Sequence, residues 1–184
     1  MAPTAPFFHG GSRMSTSTKA KTGLGEALAT QVTLTHMVAN ANLGGVSQEE
    51  SLAQPQPAGN CLNWIMGHVV SARSNALALF GKQPIWDEER AASYQRHGPP
   101  LTGADKALPF ETILADFNSI QEPLLEGLSE ISEETLAEKA PFSPTNNPDE
   151  TIGSLLAGLV FHEAYHVGQT GLGRRLCGKE ALGL

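Results

Sequence analysis

The chain reads as all-α, a four-helix bundle with long irregular crossover connections. Three observations predict it: four segments carry apolar residues at intervals of three and four, Pro- and Gly-rich breaks separate them, and no stretch alternates at period two. With 184 residues, one domain with a real core is the expectation.

The first segment runs from about Leu24 to Leu43, with Leu28, Val32, Met37, Val38 and Leu43 as its apolar positions, and stops at Gly44-Gly45. Residues 1–21 ahead of it read as a disordered extension carrying His9, and 22–184 as the folded domain. Met14 opens a second plausible start, and no uninterrupted apolar run suggests a secretory signal or a bilayer span, so the cytoplasm is the expected location. After the loop Gln54 to Gly59, Asn60 is a suitable N-cap for a second helix from about Cys61 to Phe80, closed by Gly81. Its stripe is Ile65, Val69, Ala72, Ala76 and Leu79. Pro84, Gly98-Pro99-Pro100 and Gly103 forbid a long helix between Lys82 and Leu108, though Asp87 to Gln95 suits a short one. A loop of that length is usually functional or draped over a site.

Pro109 suits the first turn of a third helix, about Pro109 to Leu128, with Ile113, Phe117, Ile120, Leu124 and Leu128 inward. Pro123 is expected to kink that helix or end it early. Ser132-Glu133-Glu134 suggests one further turn, and Pro141 to Pro148 is a break. The fourth helix runs from near Asp149 to about Leu176, with Gly178 as terminator.

A net charge of −7 and a pI near 5.3, with no concentration of Lys or Arg, argue against nucleic acid and anionic membrane as partners. Cys61 and Cys177 form no CxxC pair and read as reduced thiols at helix ends.

The chemistry concentrates on the fourth helix. Leu155, Leu159, His162, His166, Gln169, Gly173 and Leu176 follow one another at 4-3-4-3-4-3, a stripe that faces a bundle core. His162 and His166 lie four apart, so their rings stack on one face. Two imidazoles directed into an apolar interior are costly unless something organises their nitrogens, and a divalent ion (zinc, nickel, iron or copper) does so directly. His162-Glu163-Ala164-Tyr165-His166 also fits the H-E-x-x-H protease pattern. A third protease ligand is missing: Gln169 and Leu172 occupy the positions where Gly and His would follow, and Glu180 is the sole later carboxylate. The third ligand is therefore sought upstream. His68, bordering the apolar face of helix two beside Gly67, is the candidate; the alternative is a core histidine with a backbone hydrogen bond. Gly67 would let a neighbouring helix approach closely. His36 reads as solvent-facing or as supporting the site, and His97 as a surface residue. Glu163 is the candidate catalytic residue, as a base or as a partner to a ligand histidine, against the reading of an exposed helix position. Tyr165 and Gln169 read as packing residues or pocket wall, and Arg174 and Arg175 as complements to the helix dipole.

Asn63-Trp64-x-x-Gly67-His68 together with His162-Glu163-Ala164-Tyr165-His166-Val167-Gly168-Gln169 resembles the DinB-like (DinB/YfiT) metal-binding helical bundle family, over roughly Leu24 to Gly178. That resemblance implies a four-helix bundle of unusual topology, frequently a homodimer. It also implies a divalent metal ion, zinc or nickel, held by one histidine of helix two and two of helix four, which correspond here to His68, His162 and His166. Some members are metal-dependent thiol S-transferases or isomerases using a low-molecular-weight thiol such as mycothiol or bacillithiol. The resemblance therefore implies a small-molecule substrate; a non-catalytic stress-response bundle and a small-molecule hydrolase are the alternatives.

Overall fold

The computed structural model describes residues 23–96, 98, 101, 104 and 106–180; the expected N-terminal extension with His9, and His97, lie outside them. Seven α-helices follow in order: α1 (Leu24–Leu43), α2 (Gln48–Ser51), α3 (Leu62–Ala76), α4 (Glu88–Ala91), α5 (Phe110–Glu130), α6 (Glu133–Ala137) and α7 (Ile152–Leu176). Short 3-10 turns at Leu77–Phe80 and Ala92–Tyr94 extend α3 and α4. Among the described residues no strand forms; a single bridge joins Lys139 to Thr151.

The four long helices form the bundle, and α1 and α3 each pack against both α5 and α7. The first two long helices therefore sit on a diagonal, and the connection 44–61 crosses one end of the bundle. This is the crossover topology the long breaks predict, not a simple up-and-down ring.

Helix ends follow local chemistry. Cys61, not Asn60, is the N-cap of α3 and makes no side-chain cap bond. Thr151 starts α7 through a reciprocal capping box with Ser154, two residues later than the Asp149 start read from the sequence. Pro123 does not end α5, since the helix continues to Glu130. The carbonyl it orphans is that of Ser119, an exposed residue, so water can replace the missing N–H. The helix α2 has no counterpart in the sequence reading. It is a single turn held by the Ser47–Glu50 capping box.

α3 is buried on nearly all sides. Trp86, Tyr94 and Leu101 from the long connection are themselves buried and cover the face turned away from the bundle. Ser74 Oγ accepts from the Ile85 and Trp86 amides at 2.9 Å, and the Tyr94 hydroxyl donates to Asn63 Oδ1 at 3.1 Å. Gly67 makes room for this cover: a Cβ there would lie 2.2 Å from the Tyr94 ring. The close neighbour that Gly67 admits is thus the loop's tyrosine and not another helix.

Candidate metal centre

Three histidines converge where α3 meets α7. One ligand-type atom from each of His68, His162 and His166 lies within 4.8 Å of the others. His68 Nε2 and His162 Nε2 are 3.0 Å apart. The ring centroids are separated by 4.9 Å (His68–His162), 5.1 Å (His68–His166) and 4.6 Å (His162–His166). α7 supplies two of the rings one turn apart, and α3 supplies the third from the opposite wall.

Outer contacts fix the orientation of two of the rings. Tyr94 offers only a carbonyl oxygen to His68 Nδ1, at 2.7 Å, so Nδ1 carries the proton and Nε2 a lone pair. His166 Nδ1 likewise donates to Gln169 Oε1 at 2.7 Å, which frees its Nε2. Trp64 stacks on His68 at 4.8 Å with 14° between the planes. Burial lowers the proton affinity of all three rings. For His162, burial and then its neighbours His166 and His68 bring the pKa down to about 4. At neutral pH the cluster is three uncharged imidazoles with lone pairs in one small volume. Two facing nitrogens at 3.0 Å need a proton or a cation between them. The donor set fits a divalent first-row ion, and orienting partners on the far nitrogens are what such ligands require.

α7 buries a wider face than the stripe read from the sequence. Leu155 and His166 of that stripe are buried, but so are Ile152, Leu156, Val160, Glu163, Val167 and Thr170 beside it, while Leu176 is exposed. The centre of this face therefore lies to one side of the two histidines: His166 is buried and His162 half-buried. The reason is Glu163. Its carboxylate, 5 % exposed, lies in the middle of the buried face and is gripped by Arg73 of α3. Arg73 Nε meets Oε2 at 2.6 Å and Nη2 meets Oε1 at 2.7 Å; the Thr35 hydroxyl donates to Oε1 as well. Arg73 also bonds Gln121 Oε1 at 2.9 Å and sits 4.0 Å from the centre of the Phe117 ring. Glu163 is thus no exposed helix position.

Sequence reasoning missed Arg73, although a signal was available: it is the sole charged residue of α3, and Glu163 is the sole charged residue of α7 before Arg174. His36 stands outside the cluster, stacked on Phe117 at 4.8 Å and 3.1 Å from Asn40 Nδ2. Arg174 caps α1, donating to the carbonyls of Asn42 and Gly44 at 3.0 and 2.8 Å. Cys61 and Cys177 are free thiols at helix ends, as the spacing predicts. An apolar cavity of about 20 Å³, lined by Val69, Ala72, Leu124 and Leu156 among others, reaches His162 and Glu163. That volume admits about one water molecule.

No curated protein matches the chain. Among solved structures, a conserved protein from Enterococcus faecalis superposes with a TM-score of 0.65 at 19% identity, covering 84% of this chain and 97% of that one. At that identity the likeness concerns the fold. The family profile of the DinB superfamily matches residues 31–170, which include all four long helices in whole or part and all three clustered histidines. The all-helical fold and the three-histidine cluster agree with it, and the chain belongs to the DinB superfamily.

Proposed function

We propose that His68, His162 and His166 hold a divalent metal ion, zinc or nickel, and that the centre transfers a low-molecular-weight thiol to an electrophilic small molecule. The observation that carries this reading is the 3.0 Å approach of two Nε2 atoms with the far nitrogens of His68 and His166 tied to oxygen acceptors. Three protein ligands leave a coordination position open, and a half-buried His162 leaves it reachable from solvent. A bound ion of this kind supplies Lewis acidity that makes a thiol lose its proton near neutral pH. In the transfer, the thiol sulfur forms a bond to the electrophilic carbon. The leaving group departs with its electron pair, and the thiol proton passes to solvent.

The chain's own residues orient and exclude. Tyr94 and Gln169 hold His68 and His166 in the tautomer that presents Nε2. Glu163, occupied by Arg73 and Thr35, acts in this reading as a positioning residue and not as the base of an H-E-x-x-H protease. A homodimer joined through α1 and α7 is the proposed working unit.

The test begins with elemental analysis of protein purified without an affinity tag. About one zinc or nickel per chain is expected, with loss on His68→Ala, His162→Ala or His166→Ala. Metal-loaded protein is then incubated with glutathione, mycothiol or bacillithiol and a chromogenic electrophile. Rates equal to those of His166→Ala would remove the transferase reading and leave a metal-binding bundle. Turnover without any thiol would point to hydrolysis.

A further inference from the structure

We infer that Trp64 is a positioning residue of the three-histidine centre: its indole face clamps the plane of the His68 ring and tightens metal binding through it. This rests on the metal reading above and is independent of the reaction the loaded centre performs.

Trp64 and His68 lie four apart on α3, so one side chain stacks over the other on a single face. Their ring centroids are 4.8 Å apart with 14° between the planes, and the same indole meets the His166 ring at 6.3 Å and 67°. Trp64 thus touches a ring from each of the two helices that supply the cluster. It is buried, so the indole has little freedom to turn away.

This contact supplies what the hydrogen bond to His68 lacks. The Tyr94 carbonyl holds Nδ1 at 2.7 Å, which fixes the tautomer and one point on the edge of the ring. One hydrogen bond still lets the ring tilt about the bond axis, and the Nε2 lone pair swings with that tilt. A flat neighbour against the ring face stops it and keeps Nε2 aimed at His162 Nε2, 3.0 Å away.

Stacking also distinguishes the loaded centre from the empty one. A free imidazole is neutral, whereas coordination draws electron density out of the ring and gives it part of the metal's positive charge. The indole face is the best aromatic partner for positive charge, so it attracts the coordinated ring more than the free one. Among the described residues no carboxylate hydrogen-bonds a ring of the cluster, which leaves the indole as the electron-rich group against His68.

Cobalt(II) is the probe, because its d–d bands report coordination geometry without any turnover. Metal-stripped parent, Trp64→Phe and Trp64→Leu are titrated with cobalt against a competing chelator. The temperature is one at which circular dichroism shows each of them folded. Phenylalanine keeps a flat face of weaker charge, and leucine keeps apolar bulk with no face. Cobalt affinity is expected to fall about threefold in Trp64→Phe and about tenfold in Trp64→Leu, the scale of a desolvated cation–π contact. The d–d bands should shift in Trp64→Leu, a change that a loss of packing alone would not produce. Parent affinity in Trp64→Leu, or equal losses in the two variants, would overturn the positioning role and leave the metal centre standing. Should Trp64→Leu not fold, unchanged affinity in Trp64→Phe overturns it instead. A parent protein that takes up no cobalt would remove the metal reading, and this inference with it.

Discussion

His162 stands half-buried between the core and solvent, and its pKa is brought down to about 4 from an ordinary 6.5, first by burial and then by the two other rings. An unfolded chain takes up this proton near 6.5, while the folded chain resists it until about 4. The unfolded state therefore binds more protons within that window, and stability falls as the pH drops through it. The shifts of His68 and His166 have the same sign. Metal-stripped protein is expected to melt at a nearly constant temperature above pH 7 and at progressively lower temperatures from 6.5 toward 4. His162→Gln should flatten that slope, and equal slopes in parent and variant would show that the ring does not titrate this way. Bound metal should steepen the acid loss, since each proton displaces a donor. At this scale the cluster was legible. A spacing of four stacks two imidazoles whatever surrounds them, and His68 borders an apolar face beside a glycine. What a lone sequence does not give is the partner of each far nitrogen, because the Tyr94 carbonyl is a backbone group that no side-chain pattern announces.

Among the elements, α7 shows where apolar periodicity misleads. Counting Glu163 as polar limits the helix face to the line through His162 and His166, whereas the buried face takes in Glu163 as well as His166. A charge takes a core position because an opposite charge on α3 meets it there with two hydrogen bonds. The pair joins the same two helices that supply the three histidines, five residues beyond His68 on α3 and between the two histidines on α7. Removing one partner leaves an uncompensated buried charge, so Arg73→Met is expected to cost about 3–5 kcal/mol in denaturant unfolding. Replacing both, as Arg73→Met with Glu163→Leu, should recover most of that loss, because two apolar side chains need no partner. A double variant as unstable as the sum of its singles would mean that the two residues act independently. The four long helices were legible from their apolar spacing and their breaks. α2 was not, since one turn held by a capping box carries too few apolar positions to show a period.

The molecule as a whole leaves one face unaccounted for. α1 contains no Asp, Glu, Lys or Arg from Ala27 to Leu43, and from Ile152 to Gly173 α7 contains only the buried Glu163. On the outer side of these two packed helices, Phe161 is 72% exposed, Tyr165 59%, Leu172 57%, Met37 54% and Leu34 51%. A helix that is apolar all round is normally buried all round. Gly158 and Gly168 on the same side have no atom within 4 Å of where a Cβ would stand, so another backbone can come close. A second copy of this chain is the partner we propose for it. Its own α1–α7 face is equally uncharged, whereas other approaches would bring together surfaces of a protein with a net charge of −7. Light scattering after size exclusion is expected to give twice the chain mass of 19.5 kDa at micromolar concentration. Phe161→Glu with Leu172→Glu should halve that mass without loss of helical content, since both side chains already face outward. A parent protein that runs at the single-chain mass, or a doubly substituted one that still pairs, would place the contact elsewhere and leave this face for another ligand.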